Sequence, residues 1–323
     1  MIMTSDREEN GDLVSAWKKI NDSYTRKLIF RLGIEGGFFS EYNNMILAML
    51  YCLQHKIRFV LDLSVCNFHK KGWDGFFIPF CDTETDPTVH FRSCNWRFAL
   101  KLIKRERSLE HMRNIWPYLT FWKKELKTQD IFGRCRERRL KNRHFYFPEL
   151  GIDGNLQQAC SRLIAMTWRY TPKTAEIVNA SIQSLDLPEN YVGMHIRGGD
   201  KFVEHEIESI DKYFALVKSS VTTRNVYVLT DDYNVIRAIH TQYPEWKVWT
   251  LCQENESGYF HQEFIKLGEE FQHNQLRKLF ASIEILSRSE QFIGTFTSNP
   301  GMYIGMRNPE ICTGVDYDEW LIW

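Results

Sequence analysis

The residues best suited to chemistry follow one short apolar segment in the second half of the chain. The segment Tyr191–Ile196 has the composition of a buried strand. It leads directly into two cations, two glycines and a carboxylate: Arg197, Gly198, Gly199, Asp200 and Lys201. Because ligands of parallel sheets bind beyond the carboxyl ends of the strands, this segment could hold an anion such as a diphosphate. A surface turn after an edge strand has the same composition, so this segment alone leaves both interpretations open.

Two further predicted strands in this half also end in polar residues, which favours the first interpretation. Asn225–Thr230 is followed by Asp231–Asp232, and Gln291–Phe296 is followed by Thr297–Ser298. In a doubly wound sheet these carboxyl ends meet at one crevice. Hydroxyl and backbone N–H groups at the start of a helix bind phosphate oxygens, and Arg197 can hold a diphosphate through two parallel hydrogen bonds. Ser and Asp are also ordinary helix N-caps, but the three strand ends together predict a nucleotide site.

Size and composition are those of a globular protein with two domains. The chain has 323 residues, 43% of them hydrophobic and 25% charged, which is close to the average for folded proteins. Lys and Arg number 41, as do Asp and Glu, so the net charge does not favour a nucleic-acid or membrane partner. The eight cysteines include no Cys-x-x-Cys pair. We therefore expect buried free thiols, and we predict no metal site.

The N-terminal residues bear on localisation. The first thirty residues are polar and contain neither a signal-peptide core nor a stretch able to span a membrane. If Met1 is the native start, this predicts a cytoplasmic protein. Nothing in the sequence indicates an oligomeric state.

The first half of the chain predicts one βαβ unit followed by less regular structure. A strand at Lys27–Leu32, a turn at Gly36–Gly37, a buried helix at Tyr42–Leu53 and a strand at Arg58–Leu63 form the unit. Its right-handed crossover makes the two strands parallel. The section Ser64–Tyr118 has weak periodicity, which is typical of irregular structure with short helices. Further helices are predicted at Leu13–Ile20, Ile115–Leu126, Leu156–Arg169 and Thr171–Leu185.

The second half predicts a parallel sheet with helices on both faces. Its predicted strands are Tyr191–Ile196, Asn225–Thr230, Trp246–Leu251 and Gln291–Phe296. Its predicted helices are Ile210–Val221, one from Asp232 through His240, and Leu276–Ser287. Strands that alternate with helices indicate a parallel sheet covered on both sides. We place the boundary near Leu185–Asn190, which divides the chain into domains of residues 1–187 and 188–323.

The order of these motifs resembles the α1,6-fucosyltransferase family, which includes core and nodulation fucosyltransferases. The motifs in the second half are His195–Lys201, Val226–Asp232, Asn274–Arg277 and Phe292–Ser298. In the first half, Gly36–Phe39 resembles the family's glycine-rich loop and Lys71–Phe77 a glycine-tryptophan segment. The resemblance implies an α/β protein of the GT-B fold, with two Rossmann-like domains and the active site in the cleft between them. The first domain would face the acceptor, and the second would bind the nucleotide sugar.

The resemblance also implies the reaction. It indicates an inverting, metal-independent glycosyltransferase that moves a sugar to a glycan hydroxyl, with GDP-fucose as the expected donor. No cofactor, nucleic-acid partner or membrane span is expected. By motif position, Arg197 and Lys201 would hold the diphosphate, and His195 would lie near the base. The other residues expected at the donor site are Gly36, Gly37, Phe38, Asp232, Ser282, Thr297 and Ser298.

The same resemblance assigns the catalytic groups. Without a metal, fixed cations must stabilise the charge that develops on the leaving diphosphate, a role suited to Arg197 and Lys201. With one residue deleted before it, Glu204 falls on the family's proposed base, which would accept the proton of the attacking hydroxyl; such assistance contributes roughly 10²–10⁴-fold. Glu206 and Glu208 lie in the same loop and are alternatives, and a solvated acidic loop is the non-functional interpretation. For Asp231 we expect a mainly structural role.

Two positions depart from the family pattern and keep other functions open. Gly198 stands where the family often has a second arginine, and Ser282 stands where a guanine-reading aspartate is expected. A serine is the weaker acceptor, so a UDP sugar such as UDP-xylose is an alternative donor. A non-catalytic nucleotide- or sugar-binding module is an alternative of another class. A nucleic-acid-binding protein that uses the basic stretch Arg134–His144 has no supporting motif.

Overall fold

Two compact units make up the described part of the chain. The computed structural model describes residues 4–33, 36–64, 66, 68–86, 89, 125–137, 140–198, 208–258 and 266–321, with side chains from residue 12 onward. Contacts divide the chain into Met1–Arg169, together with Trp323, and Tyr170–Ile322. The boundary predicted from the sequence, between residues 187 and 188, lies one helix later. The assignment of the two parts to acceptor and donor stays a prediction.

The first unit is built on a parallel sheet with the strand order β3-β2-β1-β4. These strands are β1 (Arg26–Arg31), β2 (Ile57–Asp62), β3 (Thr83–Glu84) and β4 (Glu125–Lys127). The helices are α1 (Thr4–Asp22), α2 (Phe38–Gln54), α3 (Thr128–Ile131) and α4 (Leu156–Thr167). The unit also contains a hairpin of β5 (Phe145–Phe147) and β6 (Ile152–Gly154) and two short 3-10 helices, Gly72–Gly75 and Pro148–Leu150. Because β1 pairs in parallel with β2 around α2, the predicted βαβ unit is confirmed.

Aromatic side chains fill the core of the first unit. Tyr42 of α2 stacks on Trp73 at 6.0 Å, and Trp73 stacks on Phe77 at 4.4 Å. Trp168 packs edge-on against Tyr42 at 5.2 Å. The Tyr42 hydroxyl and the Thr167 hydroxyl lie 2.7 Å apart, so the polar end of the tyrosine is satisfied inside the core. These aromatic residues therefore serve packing in this unit.

The second unit is built on a five-stranded parallel sheet with the strand order β11-β10-β7-β8-β9. Its strands are β7 (Val192–His195), β8 (Asn225–Leu229), β9 (Lys247–Trp249), β10 (Gln291–Gly294) and β11 (Cys312–Gly314). Its helices are α5 (Pro172–Gln183), α6 (Ile210–Ala215), α7 (Tyr233–Gln242), α8 (Glu269–Leu286) and α9 (Asn299–Arg307). The parallel sheet predicted from alternating strands and helices is confirmed. The core contains Val192, Met194, Val226, Val228 and Ile293, all fully buried.

Several predicted elements differ from the observed ones. The helix predicted at Ile115–Leu126 is wrong at its end, because Glu125–Lys127 forms strand β4 beside β1; residues 115–124 lie outside the described residues. The helix predicted from Ile210 to Val221 ends at Ala215. Short edge strands such as β4 depend on a neighbouring strand distant in sequence, and local periodicity does not report that pairing.

In the part of the chain that the structure describes, we find no membrane-spanning helix and no disulfide bond. No helix there combines the length and the apolar character that crossing a bilayer requires. The cysteines described there are unpaired, and most are buried, as predicted. Burial raises the pKa of the Cys135 thiol to about 11, which keeps it protonated at neutral pH.

Candidate active site at the strand ends

The carboxyl ends of β7, β8 and β10 lie at one edge of the second sheet. His195, the last residue of β7, is in register with Leu229 of β8 and with Gly294 of β10. All three strands run in parallel, so the polar residues that follow them emerge at the same edge. The convergence of the three strand ends that the sequence predicted is therefore confirmed. This edge is where a doubly wound sheet binds its ligand.

Asp231 fixes the segment that follows β7. Its Oδ1 accepts a hydrogen bond from the Gly198 N–H at 2.7 Å, and its Oδ2 lies 3.6 Å from Nε of Arg197. Its own carbonyl accepts from the Gly258 N–H at 2.7 Å. One carboxylate thus orients both the arginine and the glycine backbone. The Arg197 side chain keeps 24% of its full accessibility, so part of it can meet a ligand.

Gly198 approaches the end of β8 closely. A Cβ at this position would lie 3.1 Å from Cβ of Asp232, a tighter contact than side chains normally make. Asp232 is itself held, because its Oδ1 caps α7 by accepting from the Asn234 N–H at 2.9 Å. In this conformation the backbone leaves little room for the second arginine that the family pattern has here. The role of Asp232 in ligand binding stays a prediction.

Ser298 places a hydroxyl at the N-terminus of α9. The side chain is 1% exposed, and its Oγ has no hydrogen-bond partner among the described residues. As N-cap of α9 it accepts no bond from the helix backbone. A buried hydroxyl without a partner costs free energy, so its retention at a helix N-terminus is typical of a group that binds a ligand.

Asp316, which no sequence motif indicated, organises the turn that precedes Ser298. Its carboxylate accepts from the N–H groups of Phe296 at 2.8 Å and Thr297 at 2.9 Å. The Thr297 hydroxyl donates to the same carboxylate at 2.7 Å. The Thr297 side chain therefore already has a protein partner. In the sequence nothing distinguishes Asp316 from the nearby Asp318; its position after the edge strand β11 decides its role.

Asp316→Ala is expected to lower the free energy of unfolding by about 2–3 kcal/mol, because it removes the acceptor of three backbone N–H groups and one hydroxyl. Chemical denaturation followed by circular dichroism measures this loss. The matched control is Asp318→Ala, since Asp318 is exposed. Equal stabilities for the two variants would contradict the bracing role of Asp316.

His195 and Ser282 are both buried, with different surroundings. His195 is 5% exposed at the end of β7. Ser282 on α8 is 1% exposed, and its Oγ lies 2.8 Å from the Tyr227 hydroxyl and donates to the Lys278 carbonyl at 3.0 Å. The serine hydroxyl therefore joins α8 to the middle of β8. The base-binding roles of both residues stay predictions.

The glycine turn of the first unit is held by a carboxylate. Glu41 on α2 accepts from the Gly36 N–H at 2.9 Å through Oε1 and from the Gly33 N–H through Oε2. Gly37 is the N-cap of α2, and a Cβ added to it would meet no atom within 4 Å. Phe38 is 5% exposed and stacks on Phe77 at 5.8 Å, within the aromatic core. The donor-binding roles of Gly36, Gly37 and Phe38 stay predictions.

A polar pair at the strand ends of the first unit was not predicted from the sequence. Arg31 and Asp62 are the last residues of β1 and β2 and face each other in register. Both are buried, and Asp62 Oδ1 accepts from the N–H and the hydroxyl of Ser64 at 2.9 Å and 2.5 Å. The only signal in the sequence was a charged residue at the end of each apolar strand.

Part of the predicted catalytic loop falls outside the described residues. Lys201, Glu204 and Glu206 belong to the range 199–207, so their proposed roles stay predictions. The third candidate base, Glu208, forms an ion pair with Lys212 one turn later. Within the described ranges, no cluster of three Asp, Glu, His or Cys side chains could hold a metal ion.

A family model matches part of the sequence, and solved structures share the fold. Residues 159–300 match the family model of the alpha-(1,6)-fucosyltransferase N- and catalytic domains. The structure of NodZ alpha-1,6-fucosyltransferase soaked with GDP-fucose superposes with a TM-score of 0.51 at 14% identity, over 88% of this chain and 93% of that one. NodZ from Bradyrhizobium gives 0.49 at 13% identity over 87% and 92%, and apo POFUT1 gives 0.48 at 12% over 90% and 98%. No curated protein sequence matches significantly. The predicted resemblance and the GT-B fold class are thus confirmed.

Proposed function

We propose that this chain, a fucosyltransferase-like glycosyltransferase whose residues 159–300 match an alpha-(1,6)-fucosyltransferase domain, transfers fucose from GDP-fucose to a glycan hydroxyl. The reaction would proceed with inversion and without a metal. The observation that carries this proposal is the strand-end edge of the second unit. There Arg197, oriented by Asp231, and the buried hydroxyl of Ser298 lie on neighbouring strand ends.

The leaving group is the centre of the proposed mechanism. Cleavage of the bond between sugar and phosphate increases the negative charge on the diphosphate. Arg197 would bind this charge through its guanidinium, and Ser298 with the first N–H groups of α9 would donate to the β-phosphate. Asp231 and Asp316 hold these donors in place before the reaction, so little reorganisation is needed as charge develops.

The acceptor hydroxyl must lose its proton as it attacks the sugar. Glu204 is the proposed base, because it falls on the family's motif position, and Lys201 would add a second cation on the diphosphate. Glu206 and Glu208 are the alternatives in the same loop. Glu208, which lies within the described residues, forms an ion pair with Lys212.

A different donor is the second candidate, and one observation favours it. The hydroxyl of Ser282, at the position expected to read guanine, is engaged with Tyr227 and with the Lys278 carbonyl. If no other group reads guanine, a UDP sugar such as UDP-xylose would fit the same fold. A non-catalytic nucleotide-binding module is the alternative of another class, and it would bind the donor without turnover.

A melting-temperature series with GDP, UDP, GDP-fucose, GDP-mannose and UDP-xylose tests the donor. A ligand at one hundred times its Kd stabilises the folded state by about 2.7 kcal/mol, which a thermal shift detects. We expect the largest shifts with GDP and GDP-fucose. A shift with UDP-xylose alone would show that the donor is UDP-xylose and not GDP-fucose. If none of the nucleotides shifts the melting temperature, the proposed function is contradicted.

Ser298→Ala tests the proposed phosphate contact within the same series. The unliganded variant is expected to keep its stability to within about 0.5 kcal/mol, because the lost hydroxyl has no partner among the described residues. Its affinity for GDP should fall about tenfold through loss of one hydrogen bond to a charged phosphate. Ser219→Ala, an exposed serine of the same unit, is the matched control. Unchanged GDP affinity in Ser298→Ala would exclude the contact.

A further inference from the structure

A carboxylate and an ammonium group form an ion pair next to the strand-end edge of β8. Glu256, in the loop after β9, pairs with Lys278 on α8. Both side chains are largely buried, at 22% and 23% of full accessibility. Neither residue belongs to one of the sequence motifs. Lys278 lies one helical turn before Ser282, the position where the expected base-reading aspartate is absent.

The direction of α8 places Lys278 nearer to the ligand edge than Ser282. The C-terminal end of α8 lies beside the starts of the strands, because the Tyr191 hydroxyl, just before β7, donates to the Ile285 carbonyl at 2.7 Å. Ser282 contacts Tyr227, the central residue of β8, so it lies at the middle of the sheet. Lys278 lies four residues closer to the N-terminus than Ser282, which is about 6 Å along the helix towards the carboxyl ends of the strands.

The loop that carries Glu256 is attached to the same edge. The Tyr233 N–H donates to the Glu256 carbonyl at 2.9 Å, and the Gly258 N–H donates to the Asp231 carbonyl at 2.7 Å. Asp231 is the residue whose carboxylate orients Gly198 and Arg197. Two backbone hydrogen bonds therefore tie the loop of Glu256 to the end of β8, where Asp231 orients Arg197.

The contact between the two side chains orients the carboxylate. The Lys278 ammonium group donates to Oε1 of Glu256, which restricts the rotation of that side chain. Burial, followed by the neighbouring Glu256, raises the pKa of the Cys252 thiol to about 12, so this neighbour of the pair stays neutral at physiological pH. Hydrogen bonds that involve charged groups are stronger than neutral ones, which suits a specificity contact.

We infer that Glu256, oriented by Lys278, reads the base of the donor and selects guanine in place of the carboxylate absent at position 282. The Watson–Crick edge of guanine presents N1–H and an amino group as adjacent donors, and O6 as an acceptor. A carboxylate accepts from both donors, and an ammonium group can donate to O6. Uracil presents a single N–H between two carbonyls, so it can donate only one hydrogen bond to the carboxylate. This inference rests on the proposed function and specifies its donor as a guanosine diphosphate sugar.

Titration calorimetry of the full chain with GDP, inosine diphosphate and UDP tests the inference. Inosine diphosphate lacks the 2-amino group, so the wild type should bind GDP about tenfold more tightly. Glu256→Gln should weaken GDP binding by about ten- to a hundredfold and reduce the preference over inosine diphosphate to less than about threefold. Lys278→Met should also reduce the preference for GDP over inosine diphosphate, although the Glu256 carboxylate is still present. Glu254→Gln, an exposed residue of the same loop, is the matched control and should behave as the wild type.

The outcomes separate this inference from the proposed function. If the wild type prefers GDP and both Glu256→Gln and Lys278→Met keep that preference, another group reads the base and the inference is wrong while the proposed function stands. A wild type that prefers UDP also overturns it. If the wild type binds none of the three nucleotides, the proposed function fails and the inference fails with it. Melting temperatures of the variants show whether each is folded. If Glu256→Gln does not fold, Lys278→Met alone tests the inference.

Discussion

Arg197→Ala is expected to lower kcat/KM for sugar transfer by about 10²–10³-fold, the usual effect of removing one fixed donor that stabilises transition-state charge. The expectation follows from the position of Arg197 at the strand-end edge and from the Asp231 carboxylate that orients it. Transfer by the wild type should persist in EDTA, because fixed cations would replace the metal. Initial rates with GDP-fucose, measured with and without EDTA, provide both results.

The control for this prediction is Arg224→Ala. Arg224 belongs to the same unit, precedes β8 at the opposite edge of the sheet, and lies 5.2 Å from the ring centroid of Trp246. Both variants lose one positive charge, so a general electrostatic effect would lower both rates. A rate for Arg197→Ala within a few-fold of Arg224→Ala would refute leaving-group stabilisation by Arg197. Complete loss of wild-type activity in EDTA would refute the metal-independent mechanism.

Glu284→Ala is expected to lower the free energy of unfolding of the second unit by about 2–4 kcal/mol, because it leaves the Arg307 guanidinium, whose side chain is only 24% exposed, without its carboxylate partner. Glu284 is 5% exposed and accepts two hydrogen bonds from Arg307, each at 3.1 Å, and one from the Tyr170 hydroxyl at 3.1 Å. Burial, and then the Glu284 carboxylate, raises the pKa of Tyr170, which remains a neutral donor. The network joins Tyr170, which precedes α5, to helices α8 and α9.

A double variant distinguishes the ion pair from simple loss of packing. Glu284→Met combined with Arg307→Met removes both charges, and we expect it to be more stable than Glu284→Ala. Denaturant titrations with circular dichroism compare the variants, and Glu290→Ala, on an exposed residue after α8, should change stability by less than about 0.5 kcal/mol. If the double variant is the least stable of the series, the penalty of an unpaired buried charge is not the cause.

The regular part of the fold was predictable because it is encoded locally. Apolar segments of strand length that alternate with amphipathic helices specify a parallel sheet, and the strands β7, β8 and β10 follow from that pattern. The edge strands β4 and β11 were not predicted. Each has only three residues; β4 pairs with β1, which lies at the start of the chain, and β11 pairs with β10 across helix α9. Pairing of this kind is decided by the neighbouring strand and not by the propensity of the segment itself.

The candidate site likewise has features that the sequence predicted and features that only the fold revealed. The sequence by itself determined the resemblance to fucosyltransferases and the three polar strand ends, since strand ends can be identified from the order of residues. Only the tertiary structure decided which side chains hold these strand ends in place. Asp316 reaches the turn before Ser298, and Glu256 meets Lys278, through contacts between segments about twenty residues apart. The tertiary structure also places the hydroxyl of Ser282 against that of Tyr227. Hydrogen bonds and ion pairs depend on the positions of both partners, and those positions exist only after the chain has folded.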